Sequence, residues 1–179
     1  MATLLYTAAM SLDGFIAGPA GDMAWLTPYF GPNPLMDELL PDIGALLVGG
    51  RTFHGDDPNR DTDKEGAFGG AWSGPQFVLT HHPPADPVPG VTFTDDVRTA
   101  VTAASTAAGD GYVCVLGAAT ARSCLEAGLL DEVLVVVAPV LLGDGTRLFD
   151  HPGGRTVRLD RLRLESAEQS TCLWFRVRY

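Results

Sequence analysis

Basic side chains and paired cysteines are both scarce in this sequence. Its 179 residues include 12 Lys and Arg against 22 Asp and Glu, which gives a formal net charge of −10 at pH 7. A chain of this charge repels nucleic acid, and its basic residues form no patch interleaved with aromatic side chains, so nucleic-acid binding is not expected. The three cysteines include no C-x-x-C pair, which argues against a disulfide framework and a zinc site. They are predicted to be buried free thiols at Cys114, Cys124 and Cys172.

Long hydrophobic runs and the common nucleotide-binding motifs are also missing. The longest apolar run, 133–142, is about half as long as the roughly 20 residues of a membrane-spanning helix, and it contains Pro139. The N-terminus shows no basic leader or cleavage site, so we expect a cytoplasmic protein without a membrane anchor. The motifs G-x-x-x-x-G-K-[ST] and G-x-G-x-x-G are absent, which disfavours a P-loop and a standard Rossmann site. No local sequence supports a Ser/His/Asp or Cys/His nucleophile.

The apolar residues that are present, 46% of the chain, suffice for the core of one α/β domain over residues 1–179. Strands predicted at 4–10, 45–48, 76–80 and 112–116 alternate with helices at 35–40, 97–108 and 118–127. This alternation indicates a largely parallel sheet with helices on both faces. Strands at 132–140, 156–164 and 171–179 follow without helices and predict antiparallel strands at one edge. Residues 56–74 are rich in Asp, Gly and Pro and predict a surface loop.

Two strand-to-helix junctions have the composition of a phosphate site. They are Gly49-Gly50-Arg51-Thr52 and Gly117-Ala118-Ala119-Thr120. A helix N-terminus after a glycine offers free backbone N–H groups and a favourable dipole. Arg51 adds a cation, and Thr52 and Thr120 add hydroxyl donors. A glycine at such a junction also serves merely to turn the chain, and each junction by itself leaves that alternative open.

Other candidate residues follow the ends of predicted strands. Asp13 follows the first strand, where open α/β sheets place the ligand crevice, although the residues by themselves favour an Asp-Gly turn that bonds to nearby backbone. His81 and His82 follow another strand and suit either a ribose phosphate or an exposed loop. Trp25 and Phe149 suit either the wall of an aromatic ligand site or the core.

Five segments occur in an order and spacing that resembles one known family. They read AMSLDGFIA at 9–17, LVGGRTF at 47–53, VLGAAT at 115–120, AGLLDE at 127–132 and PVLLGDGTRLF at 139–149. Together they resemble the dihydrofolate-reductase-like family, which includes the reductase half of the bifunctional riboflavin-biosynthesis deaminase-reductase. The match covers nearly the whole chain, which makes it far more specific than any single motif.

The resemblance implies a three-layer α/β/α fold with a mixed, mostly parallel sheet and antiparallel C-terminal strands. It also implies NADPH as the hydride donor and a homodimer. The residues expected around the nicotinamide are Ala9, Ile16 and Ala17. The residues expected around the pyrophosphate are Gly49, Gly50, Arg51, Thr52, Gly117, Ala118, Ala119 and Thr120. Thr80 and His81 are expected near the adenosine. The substrate side is expected to comprise Asp13, Trp25, Leu142 and Gly143.

The sequence departs from the family pattern at two places. Ala118 stands where the family usually has a second glycine, and its methyl group is expected to crowd the pyrophosphate turn. The motifs H-x-E and P-C-x-x-C are absent, so the zinc deaminase half is missing and any role in riboflavin synthesis is reduction alone. No metal site is expected.

These features predict an NADPH-dependent reductase that transfers hydride to a C=N or C=O group of a small heterocyclic or polar substrate. Asp13 is the candidate for polarising or protonating that substrate. A phosphorylated ribosylaminopyrimidine of riboflavin synthesis and dihydrofolate both remain open as substrates, and only Arg122 and Arg147 are spare cations for a substrate phosphate. The alternative is a non-catalytic nucleotide- or ligand-binding protein that retains the fold, which Ala118 would favour.

Overall fold

The structure, a computed structural model, describes residues 1–55 and 57–179. The described chain contains the strands β1 Thr3–Ser11, β2 Phe15–Ala17, β3 Ile43–Gly49, β4 Gln76–Leu79, β5 Val91–Thr94, β6 Tyr112–Leu116, β7 Glu132–Ala138, β8 Thr146–Arg147, β9 Arg158–Ser166 and β10 Thr171–Arg178. The helices are α1 Pro34–Leu39, α2 Gly50–Phe53, α3 Val97–Ala108 and α4 Ala118–Glu126, with 3₁₀ turns at Pro19–Gly21, Ala24–Tyr29 and Leu40–Asp42. None of the described helices is long and apolar enough to span a membrane.

One mixed sheet organises the molecule. Its eight strands lie in the order β5-β4-β3-β6-β1-β7-β10-β9. The first six run parallel to one another, whereas β10 is antiparallel to both β7 and β9. The short strands β2 and β8 form a separate antiparallel pair. This arrangement confirms the predicted mixed sheet with antiparallel C-terminal strands.

The core lies on both faces of the sheet. Successive residues of a strand point to opposite faces, so neighbours in one strand enter different clusters. In β1, Tyr6 packs in the cluster that α3 and α4 cover, whereas Leu5 packs in the cluster that α1 covers through Leu35 and Leu39. Helices therefore flank the sheet on both sides, as the alternation of strands and helices predicts.

The ends of α3 and α4 are set by local sequence. The Asp96 carboxylate accepts a hydrogen bond from the backbone N–H of Thr99 at 2.7 Å and so caps the N-terminus of α3. After α4, Gly128 has φ +70°, and the N–H of Leu129 donates to the carbonyl of Cys124 at 2.9 Å. This is the glycine-terminated helix end that the sequence predicts.

The segment predicted as a surface loop is partly a core element. Asp56, its first residue, lies outside the described residues. In the described part, 57–74, Phe68 and Trp72 pack against the α1-side core, and the Trp72 indole donates to the Ile43 carbonyl at 2.9 Å. The sequence of this segment does not predict these contacts, because two aromatic residues among many polar ones form no periodic pattern.

Strand β5 was not predicted either. It is only four residues long and lies at the sheet edge, where it pairs with β4 alone. Its V-T-F-T sequence, preceded by Gly90, is the signal that could have revealed it, because alternating β-branched and aromatic residues after a turn favour a strand.

Leu46→Ala should destabilise the protein strongly. Leu46 is completely buried in β3, so truncation removes apolar contacts and leaves a cavity, which lowers the free energy of unfolding by about 2–5 kcal/mol. Urea unfolding followed by circular dichroism measures this. The matched control is Leu141→Ala, where the side chain is 69% exposed and the change should stay within about 0.5 kcal/mol. Equal effects of the two substitutions would contradict the assignment of Leu46 to the core.

Candidate active site

The carboxyl ends of five strands meet at one edge of the sheet. Ligands of open α/β sheets bind outside this edge. Both predicted phosphate junctions begin there, directly after β3 and β6, and the segments after β1, β4 and β7 lie beside them. The last residues of these strands are Ser11, Gly49, Leu79, Leu116 and Ala138. Candidate site residues that are far apart in the sequence therefore lie at the same edge of the sheet.

Two glycines at the end of β3 allow the neighbouring strand ends to approach. A Cβ atom on Gly49 would lie 2.6 Å from Oγ1 of Thr120, and one on Gly50 would lie 2.8 Å from Oγ1 of Thr80. Any side chain at either position would push these segments apart. Thr120 is only 2% exposed, so its hydroxyl packs against Gly49 instead of facing a ligand, contrary to the role expected for it.

Gly117 joins the second junction to the first. It has φ +99° and ψ 133°, a conformation that side-chain-bearing residues rarely adopt, and a Cβ there would overlap the hydroxyl of Thr52. Thr52 itself is exposed at this contact. Ala118 begins α4, and its φ is not positive, so alanine is free of backbone strain there. Glycine is thus required at 117 and not at 118.

A cationic cavity of about 300 Å³ opens at the start of α4. No side chain of residues 1–55 and 57–179 caps this helix end, so the N–H groups of its first turn are available to an anion. Among the described residues, three arginines line the cavity against a single carboxylate, although the whole chain carries a net charge of −10. The lining residues are Arg51, Ala118, Ala119, Arg122, Gly145, Thr146, Arg147 and Asp150.

The three arginines of the cavity differ in how firmly they are held. The Arg147 guanidinium lies over the ring of Phe15, 4.7 Å from its centroid. Arg122 donates to the backbone carbonyl of Asp150 at 3.2 Å and lies 3.8 Å from a carboxylate oxygen of Glu126. Arg51 is exposed and forms no hydrogen bond or ion pair within residues 1–55 and 57–179. Its charge is therefore the one most available to a ligand.

Asp13 is held by three donors. Its Oδ1 accepts hydrogen bonds from the Ser11 hydroxyl at 2.6 Å and the N–H of Leu142 at 3.0 Å, and its Oδ2 accepts from the N–H of Gly143 at 2.7 Å. The bond from Ser11, followed by that from Leu142, lowers the pKa of Asp13 to about 2. At neutral pH the carboxylate is an anion without a proton to give. Of the two roles expected for it, the ionised carboxylate lacks the proton for protonating a substrate, and polarising a substrate stays a prediction.

The remaining predicted residues differ in their burial. Ala9 is half-buried in β1, whereas Ile16 and the buried Ala17 belong to β2. His81 is exposed just after β4. The indole N–H of Trp25 is buried, and no described residue accepts its hydrogen bond, which leaves a donor for a ligand or a water molecule.

The model of the RibD C-terminal domain family matches residues 2–173. The chain belongs to this family. The match confirms the resemblance that the five sequence segments carry.

One curated relative and two solved structures illustrate the similarity of this chain to known proteins. The protein YyaP of Bacillus subtilis strain 168 is 26% identical over 153 residues, 79% of this chain and 77% of its own length. RibD of Acinetobacter baumannii is 21% identical with a TM-score of 0.73, over 100% of this chain and 59% of that chain. Dihydrofolate reductase of Enterococcus faecalis, solved with NADP(H), is 16% identical with a TM-score of 0.62, over 98% and 96%. These structures confirm the dihydrofolate-reductase-like fold.

Two arginines of the cavity were not among the residues predicted to contact the cofactor in this RibD-family chain. Sequence reasoning treated Arg122 and Arg147 only as spare cations for a substrate phosphate. Arg122 lies more than one turn into α4, and Arg147 lies in β8, a strand of two residues. Neither position follows a strand end in the sequence, so only the structure shows that both line one cavity with Arg51.

Gly117→Ala should destabilise the protein, whereas Ala118→Gly should not. A side chain at 117 meets both an unfavourable backbone conformation and the Thr52 hydroxyl, for which we expect a loss of about 1–3 kcal/mol in the free energy of unfolding. Glycine at 118 should cost no more than about 1 kcal/mol, the propensity difference from alanine. Urea unfolding of both variants measures the contrast. If the free energy of unfolding fell as much at 118 as at 117, the assignment of the conformational requirement to Gly117 would be contradicted.

Proposed function

We propose that this RibD-family chain, as one domain over residues 1–179, is an NADPH-dependent reductase of a small heterocyclic substrate. The observation that carries the proposal is the cationic cavity at the uncapped start of α4, beside the joined ends of β3 and β6. The family and the shared fold with a dihydrofolate reductase solved with NADP(H) support a reductase in particular.

The residues present fit a dinucleotide with phosphate groups. The first-turn amides of α4 would bind the pyrophosphate, and Arg147 and Arg122 would balance its charge. Arg51, which has no ion-pair partner among the described residues, would bind the additional phosphate that distinguishes NADPH from NADH. When bound, NADPH supplies the hydride. The chain would hold the cofactor in a fixed position and exclude water from the hydride transfer.

The substrate that family membership favours is a pyrimidine of riboflavin synthesis, 5-amino-6-(5-phosphoribosylamino)uracil, reduced at its ribose. Dihydrofolate is the second candidate, because the fold is shared with a dihydrofolate reductase. The two substrates differ in their anionic groups: the pyrimidine carries a phosphate, whereas dihydrofolate carries the carboxylates of its glutamate group. Trp25 would border either heterocycle and offer it the unpaired indole N–H.

Titration with NADPH, followed by quenching of protein fluorescence, tests the proposal. We expect saturable binding at micromolar cofactor, with NADH weaker by at least tenfold because it lacks the additional phosphate. NADPH oxidation should then be followed at 340 nm with each candidate substrate. Absence of binding at several hundred micromolar NADPH would overturn the reductase. Binding without oxidation of either substrate would favour a non-catalytic nucleotide-binding protein.

Arg51→Ala should weaken NADPH binding by about 10- to 100-fold, the loss of one charge-assisted hydrogen bond of about 1.5–3 kcal/mol. NADH binding should hardly change. The matched control is Arg178→Ala, which removes an equal charge from β10 near the opposite edge of the sheet, where Arg178 pairs with Asp160. An equal loss of affinity in both variants, or for both cofactors, would contradict the assignment of Arg51.

The homodimer that the resemblance implies stays a prediction. Sedimentation equilibrium of the purified chain at micromolar concentration should give twice the mass of one chain. A mass of one chain over the whole concentration range would contradict it.

A further inference from the structure

The turn after β1 is tied to the segment after β7 through side-chain and backbone hydrogen bonds. The Asp13 carboxylate accepts from the backbone N–H groups of Leu142 and Gly143, at 3.0 and 2.7 Å. One residue earlier, the N–H of Leu12 donates to the carbonyl of Val140 at 2.8 Å. Three hydrogen bonds thus connect residues about 130 positions apart in the sequence.

Ser11 fixes the orientation of the Asp13 carboxylate. This serine is completely buried at the end of β1. Its hydroxyl donates to Asp13 at 2.6 Å and accepts from the N–H of Phe15 at 3.0 Å, while its carbonyl accepts from the N–H of Gly14. The carboxylate therefore cannot rotate away from the 142–143 backbone without breaking the turn.

The segment that Asp13 holds continues directly into the wall of the cationic cavity. Gly143 is followed by Gly145, Thr146 and Arg147, all of which line the cavity. The cavity wall is also attached to β2, where Arg147 pairs with Phe15 in the strand register. Because β2 and β8 hold it independently, loss of the Asp13 contacts should loosen this wall without unfolding the protein.

We propose that Asp13 is a positioning residue: by binding the N–H groups of Leu142 and Gly143 it fixes the segment that presents Thr146 and Arg147 to the cofactor phosphates. The position of the cavity wall rests on the observed hydrogen bonds, and only the identity of the bound phosphate rests on the proposed function. In this role the carboxylate acts on cofactor affinity and leaves the hydride-transfer step to other groups.

The Asp13→Asn variant separates positioning from proton donation. Asparagine keeps the shape but places an NH₂ group against donors that need an acceptor. We expect hydrogen exchange of the 142–143 amides to accelerate at least tenfold. The NADPH dissociation constant and KM should rise about tenfold, with kcat within threefold of wild type and an unchanged kcat–pH profile from pH 5 to 9.

A proton donor predicts the opposite pattern. Turnover would fall at least 100-fold and lose one limb of its pH profile, while cofactor affinity and the exchange of the 142–143 amides would stay as in wild type. That outcome would overturn the proposal, and so would unchanged amide exchange alone. If wild-type protein fails to bind NADPH, the proposed function fails, but the amide exchange still decides whether Asp13 fixes the segment.

Asp144→Asn is the matched control. It makes the same chemical change in the same segment, but within the described part of the chain the Asp144 carboxylate accepts only from the N–H of its neighbour Gly145, at 2.8 Å. We expect wild-type exchange at 142–143 and wild-type cofactor affinity. Ser11→Ala should reproduce part of the Asp13→Asn effect, because it frees the carboxylate without removing its charge. Equal effects of the substitutions at 13 and 144 would contradict the proposal.

Discussion

The site depends on how closely the ends of β3 and β6 approach each other. Gly49 lies against Thr120, and Gly117 lies against Thr52, so each strand end leaves room for a threonine of the other junction. A side chain at either glycine would separate the two turns. Because the first turn of α4 follows one of these strand ends and Arg51 follows the other, the cationic cavity exists only while the contact holds.

The charge distribution follows from that geometry. An acidic chain with a net charge of −10 would repel an anionic ligand over most of its surface. Three arginines from α2, α4 and β8 nevertheless face one cavity of about 300 Å³, together with the positive end of a helix dipole. The positive charge of the cavity is therefore a local property. It depends on the tertiary placement of a few cations rather than on composition.

Most of the architecture could be predicted from the sequence. The buried strands β3, β6 and β7 are continuous apolar runs, and Asp96 and Gly128 mark helix ends by chemistry that acts within a few residues. Prediction failed where the signal was short or dispersed. Strand β5 has four residues, and Trp72 reaches the core from a polar loop through one contact with Ile43.

The sequence by itself determined the family, the mixed sheet and the two glycine-containing junctions, because these depend on local pattern and on segment order. Only the tertiary structure decided what the candidate residues do. It buried Thr120 beneath Gly49, brought Arg122 and Arg147 to the cavity, and surrounded Asp13 with donors from Ser11 and the segment after β7. The physical reason is that hydrogen bonds and charge pairs act over a few ångströms in space. The order of the strands in the sheet sets which distant residues come within that range. This order cannot be derived from the spacing of residues in the sequence.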